Sequence, residues 1–375
     1  MTPMLGEADR PGAAKSTQWT ALVLVVLLAV AVVAALAEGA ARLRQWTKYG
    51  TPKSFAAMYG VDPILNLRVL KPGFDSSTIH INSLGFRGPE ITRPKPEGTV
   101  LIAFLGASTT FCGEVSGDAA VWPQKVTEQL RRDFPTVRFD FVNAGVPGYL
   151  VKSTRLNLKH KVAALQPDII VIYHLTNDLS GEVRDLAVAQ GLPGAADIGQ
   201  QSWLENHSLL WELVLKNLRV MQTQRKSLLA DAERLSVDVR ELGGGFERDL
   251  SSLVRDATAA SSRVVVATFS TRLRAEQNRQ TQLEAAASAF VYMPFMSIDG
   301  LLAGYARYNE IIGKVARAEG ALLVGGENNI PGDATHFVDS VHFSDAGSRA
   351  MAARVHAALV ADPKVLELVR ARSAK

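Results

Sequence analysis

An apolar run from Val100 to Leu105 ends abruptly at Gly106, and Ser108 follows two residues later. Such a run with a glycine at its end predicts a buried strand of a parallel sheet. In open sheets of this kind, ligands and reactive groups gather where the strands end at their carboxyl edge. A serine here can also be a helix cap. A nucleophilic role for Ser108 therefore requires a base, an orienting carboxylate and oxyanion donors elsewhere in the chain.

Further apolar runs share this character, and segments with helical spacing separate them. The predicted strands are Val137–Val142, Asp168–Tyr173, Val264–Phe269 and Ala321–Val324. The predicted helices are Val121–Phe134, Thr154–Leu165, Tyr305–Glu319 and a closing helix that runs through Leu359. Strands that alternate with helices imply right-handed crossovers and helices on both faces of one sheet. The pattern predicts an α/β protein with three α/β/α layers and a five-stranded parallel sheet.

The second and third predicted strands end in segments that can serve a site. Gly148 ends the segment NAGVPG after the second strand, and Asn177 lies in LTND after the third. Parallel strands present their carboxyl ends at one edge of the sheet, so we expect Ser108, Gly148 and Asn177 to lie near one another. His174 is close to this edge, and we interpret it as a structural residue.

A base and a carboxylate to orient it are found near the end of the chain. Asp339 and His342 are three residues apart, a spacing that lets the carboxylate hold one ring nitrogen while the other faces outward. Asp333 and His336 have the same spacing. We prefer Asp339 and His342, because His342 directly precedes the segment FSDAG that opens the closing helix.

Composition narrows the classes of partner. The formal net charge is +4, and the basic residues are spread along the chain, so we expect no nucleic-acid partner. Cys112 is the only cysteine, which excludes an intramolecular disulfide, and we interpret it as a buried packing residue. The chain has no paired CxxC or HExxH spacing that would indicate a metal site.

The segment from Thr20 to Ala37 contains no charged residue. A span of about 18 apolar residues is near the minimum that crosses a membrane as a helix. Its length favours a membrane anchor, while the small residues of Ala35-Leu36-Ala37 fit a cleavable signal, and a buried helix of a soluble protein is the third possibility. By the positive-inside rule, the basic residues after the span weakly favour a cytoplasmic location for the domain that follows. Long domains cross largely regardless of charge, and we expect an extracytoplasmic domain.

Four separated motifs in a fixed order resemble those of the SGNH/GDSL hydrolase superfamily. They are Gly106-Ala107-Ser108, Gly148 in NAGVPG, Asn177 in LTND, and Asp339 with His342. The similarity extends from Thr99 to Leu359, except for the region 179–262. Two positions depart from the family pattern: Ala107 replaces the usual aspartate, and Leu175 replaces a glycine, which is expected to shift Asn177 or narrow the cleft.

The resemblance implies a flavodoxin-like fold and a serine esterase that needs no cofactor. Ser108 would be the nucleophile, His342 the base and Asp339 its orienting acid, with Ser108, Gly148 and Asn177 as oxyanion donors. The implied substrates are short acyl esters, with acetyl expected, on envelope carbohydrate or lipid. Two other functions stay open: an O-acyltransferase that modifies an extracytoplasmic polysaccharide, and a catalytically silent binding or scaffold protein. The sequence makes no prediction of the oligomeric state.

We expect the chain to divide into several segments. They are an N-terminal tail over 1–18, a transmembrane anchor or signal over 19–41, a lead-in linker over 42–98, the SGNH hydrolase-like domain over 99–360 and a C-terminal tail over 361–375. Within the linker, Ser77–Asn82 is predicted to be strand-like, and Arg87 is expected to hold a surface turn together.

A helical insertion over 179–262 is predicted to interrupt the domain. It contains an apolar stripe at helical spacing, which consists of Trp211, Val214, Leu215, Leu218 and Met221. We expect this stripe to pack on the domain, with a lid or a surface for a membrane or partner as the alternative. Gly243-Gly244-Gly245 is predicted to be a flexible break.

Overall fold

The fold is taken from a computed structural model, which describes residues 12–51, 54–197, 208, 210–211, 214–215, 218, 221 and 238–373. Helix α1 (Gly12–Tyr49) leads to an antiparallel hairpin of β1 (Tyr59–Asp62) and β2 (Leu67–Leu70). The central sheet follows. Its strands are β3 (Thr99–Gly106), β4 (Arg138–Asn143), β5 (Ile169–Tyr173), β6 (Arg263–Ala267) and β7 (Leu322–Val324).

The strand order is β4-β3-β5-β6-β7, and every neighbouring pair is parallel. This confirms the predicted five-stranded sheet of flavodoxin-like order. Every residue of β3 and of β5 is buried, as expected for central strands covered on both faces. In the register, Gly106 pairs with Tyr173 and Phe104 pairs with Asn143. The strands that precede Ser108, Gly148 and Asn177 therefore end side by side.

Helices surround the sheet. They are α2 (Ser108–Phe111), α3 (Trp122–Asp133), α4 (Val151–Asn157), α5 (Thr176–Ala189), α6 (Gly244–Ala260), α7 (Arg279–Ala286), α8 (Ala289–Tyr292), α9 (Ile298–Ala318), α10 (Asp345–Ala361) and α11 (Pro363–Ser373). Helices α3 and α10 pack together, while α6 packs against α4 and α9. The layers agree with the predicted α/β/α arrangement. The predicted helix Thr154–Leu165 begins earlier, at Val151, and continues after α4 as a π turn and a 3-10 turn.

The lead-in differs from its prediction. Residues 77–82 form no strand; isolated bridges pair Asp75 with His80 and Ile81 with Arg87. The pairing stops there because the side chain of Asn82 accepts hydrogen bonds from the amides of Leu84 and Phe86 and closes a tight turn. The β1–β2 hairpin, by contrast, was not predicted.

A separate apolar cluster joins this lead-in to the carboxyl edge of the sheet. Its buried residues are Met58, Leu70, Phe74, Ile79 and Ile81 from the lead-in, and Ala107, Phe111, Val146 and Tyr149 from the loops after β3 and β4. Burial of apolar surface therefore holds the hairpin against the loops that carry Ser108 and Gly148.

The apolar stripe of the insertion was expected to pack on the domain, but it does not. Backbone at its positions is helical, yet Trp211, Val214, Leu218 and Met221 are each more than a third exposed. Its start is tied instead to α1, where Glu38 Oε2 accepts hydrogen bonds from Ser208 Oγ and the Leu210 amide. The other residues of the segment between 198 and 237 lie outside the described part of the chain.

The glycines at 243–245 do not form the predicted flexible break. Gly243 has φ +90° and caps α6, whose first turn contains the other two glycines. A side chain at Gly243 would collide with Ile311, and the positive φ favours glycine. The run therefore lets α6 begin close to α9.

Helix α1 contains a span, Trp19–Lys48, that is long and apolar enough to cross a membrane, with a mean hydropathy of 3.0 in its most apolar window. None of that window is buried against the rest of the protein. A membrane anchor and a signal sequence both have these properties. The helix ends against the lead-in, where Ser77 Oγ donates to the Lys48 carbonyl.

Candidate active site

Ser108 is the first residue of α2, and Ala107 alone separates it from the end of β3 at Gly106. Gly106, two residues earlier, lets the backbone at the end of β3 lie close to Thr110 and to the Tyr173 carbonyl. A Cβ on Gly106 would collide with Thr110 Oγ1 and would lie 2.7 Å from the Tyr173 carbonyl oxygen of β5. Only glycine fits between the strand ends, so the turn delivers Ser108 to the carboxyl edge.

His342 connects Ser108 to Asp339. Its Nε2 lies 2.8 Å from Ser108 Oγ, and its Nδ1 lies 2.7 Å from Asp339 Oδ2. The structure thus brings together residues that are 234 positions apart in the chain. With the ring proton on Nδ1, the Nδ1–H donates to Asp339 and Nε2 can accept the serine proton.

Asp339 is held in its charged form. Burial raises the pKa of its carboxyl, but the hydrogen bond and charge of His342 and the amides of Val341 and His342 together bring the pKa below its ordinary value. Both amides donate to Oδ1 at 2.9 Å, which leaves Oδ2 for the imidazole. The carboxylate can therefore stabilise an imidazolium beside it.

The alternative pair, Asp333 and His336, also forms a local contact but does not reach Ser108. His336 Nδ1 lies 2.8 Å from Asp333 Oδ1, which also accepts the amides of Thr335 and His336. Of the two imidazoles, the one that reaches Ser108 is His342.

Three groups at the edge can donate hydrogen bonds to an oxyanion. The amides of Ser108 and Gly148 donate to no acceptor within the described residues. Gly148 has φ +86°, a conformation that favours glycine, and is exposed. Asn177 uses one N–H of its side chain to donate to the Tyr149 carbonyl at 3.0 Å. Its amide has a second N–H for a ligand.

Leu175 does not narrow the cleft as expected. It is buried in the main core, with 1% of its surface exposed, and caps α5 with φ −174°. This φ lies outside the positive range that favours glycine, so glycine is not needed. Ala107, the other departure, is buried in the apolar cluster of the lead-in.

A buried polar cluster supports the asparagine. His174 Nε2 lies 2.7 Å from Thr154 Oγ1, and Asp178 accepts a hydrogen bond from the Val151 amide at 3.0 Å. Burial lowers the pKa of His174 to about 3 and raises the pKa of Asp178 to about 7. The cluster joins the start of α4, after Gly148, to the start of α5, which carries Asn177. His174 therefore has the structural role that its sequence position predicts.

Two residues that shape this site were not assigned to it from the sequence. Arg87 is fully buried rather than on a surface turn: it pairs with Asp118 and donates to the carbonyls of Phe111 and Cys112, at the end of α2. Glu114 Oε1 lies 3.9 Å from His342 Nδ1, as a second carboxylate. The turn NSLGFRG around Arg87 and the acidic Glu114 so soon after Ser108 were the available signals.

Cys112 is a packing residue, as predicted. Only 3% of its surface is exposed, and burial raises the pKa of its thiol to about 12. A neutral buried thiol is a poor nucleophile. Among the residues that the structure describes, no group of three or more His, Cys, Asp and Glu side chains could hold a metal ion.

Solved structures with similar chains include carbohydrate esterases. Axe2, an acetylxylan esterase from Geobacillus stearothermophilus, is 16% identical, with a TM-score of 0.41, and the alignment covers 71% of this chain and 95% of that chain. The acetyl xylan esterase AlAXEase is 15% identical, with a TM-score of 0.41 and coverage of 69% and 99%. No curated protein matches the chain.

A family model gives the assignment. Residues 104–350 match the model of the GDSL-like Lipase/Acylhydrolase family, and this range includes Ser108, Gly148, Asn177, Asp339 and His342. It covers well over half of the 375 residues. The chain therefore belongs to the GDSL-like lipase/acylhydrolase family and is a hydrolase of ester bonds.

Proposed function

We propose that the protein is a serine esterase that removes O-acyl groups, with acetyl expected, from carbohydrate or lipid at a membrane surface. Ser108, His342 and Asp339 form its catalytic triad. One observation carries the proposal: a continuous hydrogen-bonded path runs from Asp339 Oδ2 through His342 to Ser108 Oγ, with 2.7 Å and 2.8 Å between the atoms.

In the first half of the reaction, His342 Nε2 takes the proton of Ser108 as Oγ bonds to the ester carbonyl carbon. The negative charge moves to the carbonyl oxygen, where the amides of Ser108 and Gly148 and the side chain of Asn177 donate hydrogen bonds. Removal of one such donor typically costs about 3 to 4 kcal/mol of transition-state stabilisation. The imidazolium then protonates the departing alkoxide, and the acyl group stays on Ser108.

In the second half, water attacks the acyl-enzyme. His342 takes a proton from the water, and its return to Ser108 Oγ releases the carboxylic acid. Asp339 keeps the imidazole in one tautomer through both halves. If a sugar hydroxyl entered instead of water, the same residues would transfer the acyl group to the sugar.

We also propose that α1 anchors the enzyme in a membrane, with the hydrolase-like domain outside the cytoplasm. The apolar, unburied span Trp19–Lys48 supports the anchor. The length of the domain that follows supports export, because long domains cross largely regardless of charge.

A serine-reactive fluorophosphonate and a chromogenic acetyl ester test the triad on the full chain in detergent. We expect the probe to label the wild type, and Ser108→Ala to lose the label and at least about 10³-fold in kcat. Ser252→Ala, on α6, is the matched control and should keep both. Label and turnover that persist in Ser108→Ala would refute the proposal.

An acceptor experiment separates hydrolysis from transfer. Esterase activity predicts that an added oligosaccharide leaves the rate of acyl release unchanged and gains no acetyl groups by mass spectrometry. Faster release together with acetylated sugar would identify a transferase.

A further inference from the structure

The β1–β2 hairpin places an arginine beside the oxyanion loop. Arg68 Nη1 lies 3.4 Å from the position that a Cβ on Gly148 would occupy. Gly148 is exposed, and so is Arg68. The guanidinium is therefore at the open rim of the site, next to a proposed oxyanion donor.

Contacts of the hairpin hold this arginine in place. Its guanidinium carbon lies 4.9 Å from the centre of the Tyr59 ring, a cation–π contact. The Tyr149 hydroxyl donates to the Arg68 carbonyl at 2.5 Å, and burial raises the pKa of that hydroxyl to about 12, so it stays a donor. The carbonyl of the same Tyr149 accepts from Asn177. One residue thus connects Arg68 to both Gly148 and Asn177.

Arg68 has no ion-pair partner among the residues that the structure describes. No carboxylate in the described part of the chain lies within 4.0 Å of its guanidinium. Two carboxylates that act electrostatically on the neighbouring Tyr59 and Tyr149 have other contacts. Asp62 accepts the amides of Ile64 and Leu65 in the hairpin turn, and Glu114 Oε1 lies 3.9 Å from His342 Nδ1. A planar guanidinium with free donors suits a carboxylate or phosphate group, which it can bind through two parallel hydrogen bonds.

We propose that Arg68 binds an anionic group, a carboxylate or a phosphate, on the alcohol part of the ester substrate. The proposal rests on the proposed esterase function and narrows it to acyl esters of acidic carbohydrates or of phosphate-bearing lipids. The anion pairs with Arg68 while the ester carbonyl lies in the adjacent oxyanion hole. The contact orients the ester as well as attracting it.

Matched esters test the charge preference. 4-Acetoxybenzoate and its neutral methyl ester differ in one charge on the alcohol side, and acetylated glycerol 3-phosphate and acetylated glycerol form the corresponding phosphate pair. We expect the wild type to prefer the anionic member of at least one pair in kcat/KM, and the favoured pair identifies carboxylate or phosphate. The preference should fall as salt is added, because exposed charges are screened.

Substitutions at Arg68 test its role. We expect Arg68→Gln to lower the anionic-to-neutral ratio of kcat/KM by about tenfold, which corresponds to about 1.4 kcal/mol, and Arg68→Lys to restore part of it. The matched control is Arg370→Gln, an exposed arginine of α11, which should leave the ratio unchanged. Equal kcat/KM for both members of each pair in the wild type, or equal losses on both in Arg68→Gln, would overturn the proposal.

A binding measurement separates this proposal from the esterase function. In Ser108→Ala, calorimetry should detect 4-acetoxybenzoate or acetylated glycerol 3-phosphate more strongly than the neutral partner, and addition of Arg68→Gln should abolish the difference. Anion binding without wild-type turnover would refute the esterase and retain the anion site. Turnover without charge preference would retain the esterase and refute the anion site.

Discussion

Two Asp-x-x-His segments near the end of the chain share the same local partners, although Asp333 binds them through one oxygen and Asp339 through two. In each, the aspartate accepts amides two and three residues ahead and binds Nδ1 of the histidine, at 2.8 Å for His336 and 2.7 Å for His342. They differ in what lies beyond the ring, because Nε2 of His342 reaches Ser108. The local sequence forms the pair, and the position of the loop gives it a nucleophile.

This difference predicts opposite effects of two alanine substitutions. His342→Ala should lower kcat on a chromogenic acetyl ester by about 10³-fold or more, because Ser108 loses its base. His336→Ala should keep most of the activity. The reverse order of effects would reassign the base to His336.

Of two glycines at the site, Gly148 could be predicted from the sequence and Gly145 could not. Gly148 was found from its motif, and its φ of +86° explains the residue type. Gly145, which was not singled out, is needed for a close approach: a Cβ there would lie 2.5 Å from the Phe111 amide nitrogen and 2.9 Å from the Ala107 carbonyl oxygen. Such an approach between two distant loops leaves no signal in a single sequence.

At the scale of elements, the central strands β3 and β5 were predictable because they are buried on both faces and contain continuous apolar residues. The β1–β2 hairpin was not, since its strands are short and mostly half-exposed. Its stability comes from the apolar cluster that it shares with the loops after β3 and β4. That cluster also makes the lead-in part of the site.

The starts of α4 and α5 meet at Asp178, and we expect this contact to depend on pH. Burial raises the pKa of Asp178 from 3.8 to about 7, so the folded protein takes up a proton that the unfolded chain has lost. The resulting stabilisation is present below about pH 4 and is lost as the pH rises through 7. Above that range, the fold contains a buried charge.

Asp178→Asn should therefore stabilise the protein at pH 8, by roughly 1 to 4 kcal/mol, and the gain should shrink toward pH 4. The amide oxygen of asparagine can still accept the Val151 amide. Urea unfolding in detergent at both pH values measures the difference, with the exposed Asp185→Asn on α5 as the control. A loss of stability at pH 8 would mean instead that Asp178 is charged and paired with His174, whose Nδ1 is 3.8 Å away.

For the whole molecule, the role of the apolar helix α1 as an anchor or a signal sequence can be tested. If α1 is an anchor, the intact chain should stay with membranes through alkaline carbonate extraction. Arginine at the exposed positions Leu28 and Val32 should release it, because each charge at the centre of a membrane helix costs about 2.5 to 3.5 kcal/mol. A soluble mature protein that begins near Glu38 would identify a cleaved signal instead.

The position of the exposed apolar stripe of the insertion also depends on the whole molecule. Its period predicted a helix with one apolar face, and helical backbone is found at its described positions. The sequence could not tell which surface that face meets. The connection from Glu38 to Ser208 and Leu210 joins its start to α1 rather than to the sheet.

The sequence by itself determined the layered α/β architecture, because burial on two faces and helical periodicity are local patterns. It also determined which residue types end each strand. Only the tertiary structure decided which histidine meets Ser108 and why glycine is needed at positions 106 and 145. It likewise decided that the hairpin with Arg68 borders the site. These are contacts between segments far apart in the chain, and packing of the whole fold sets their distances.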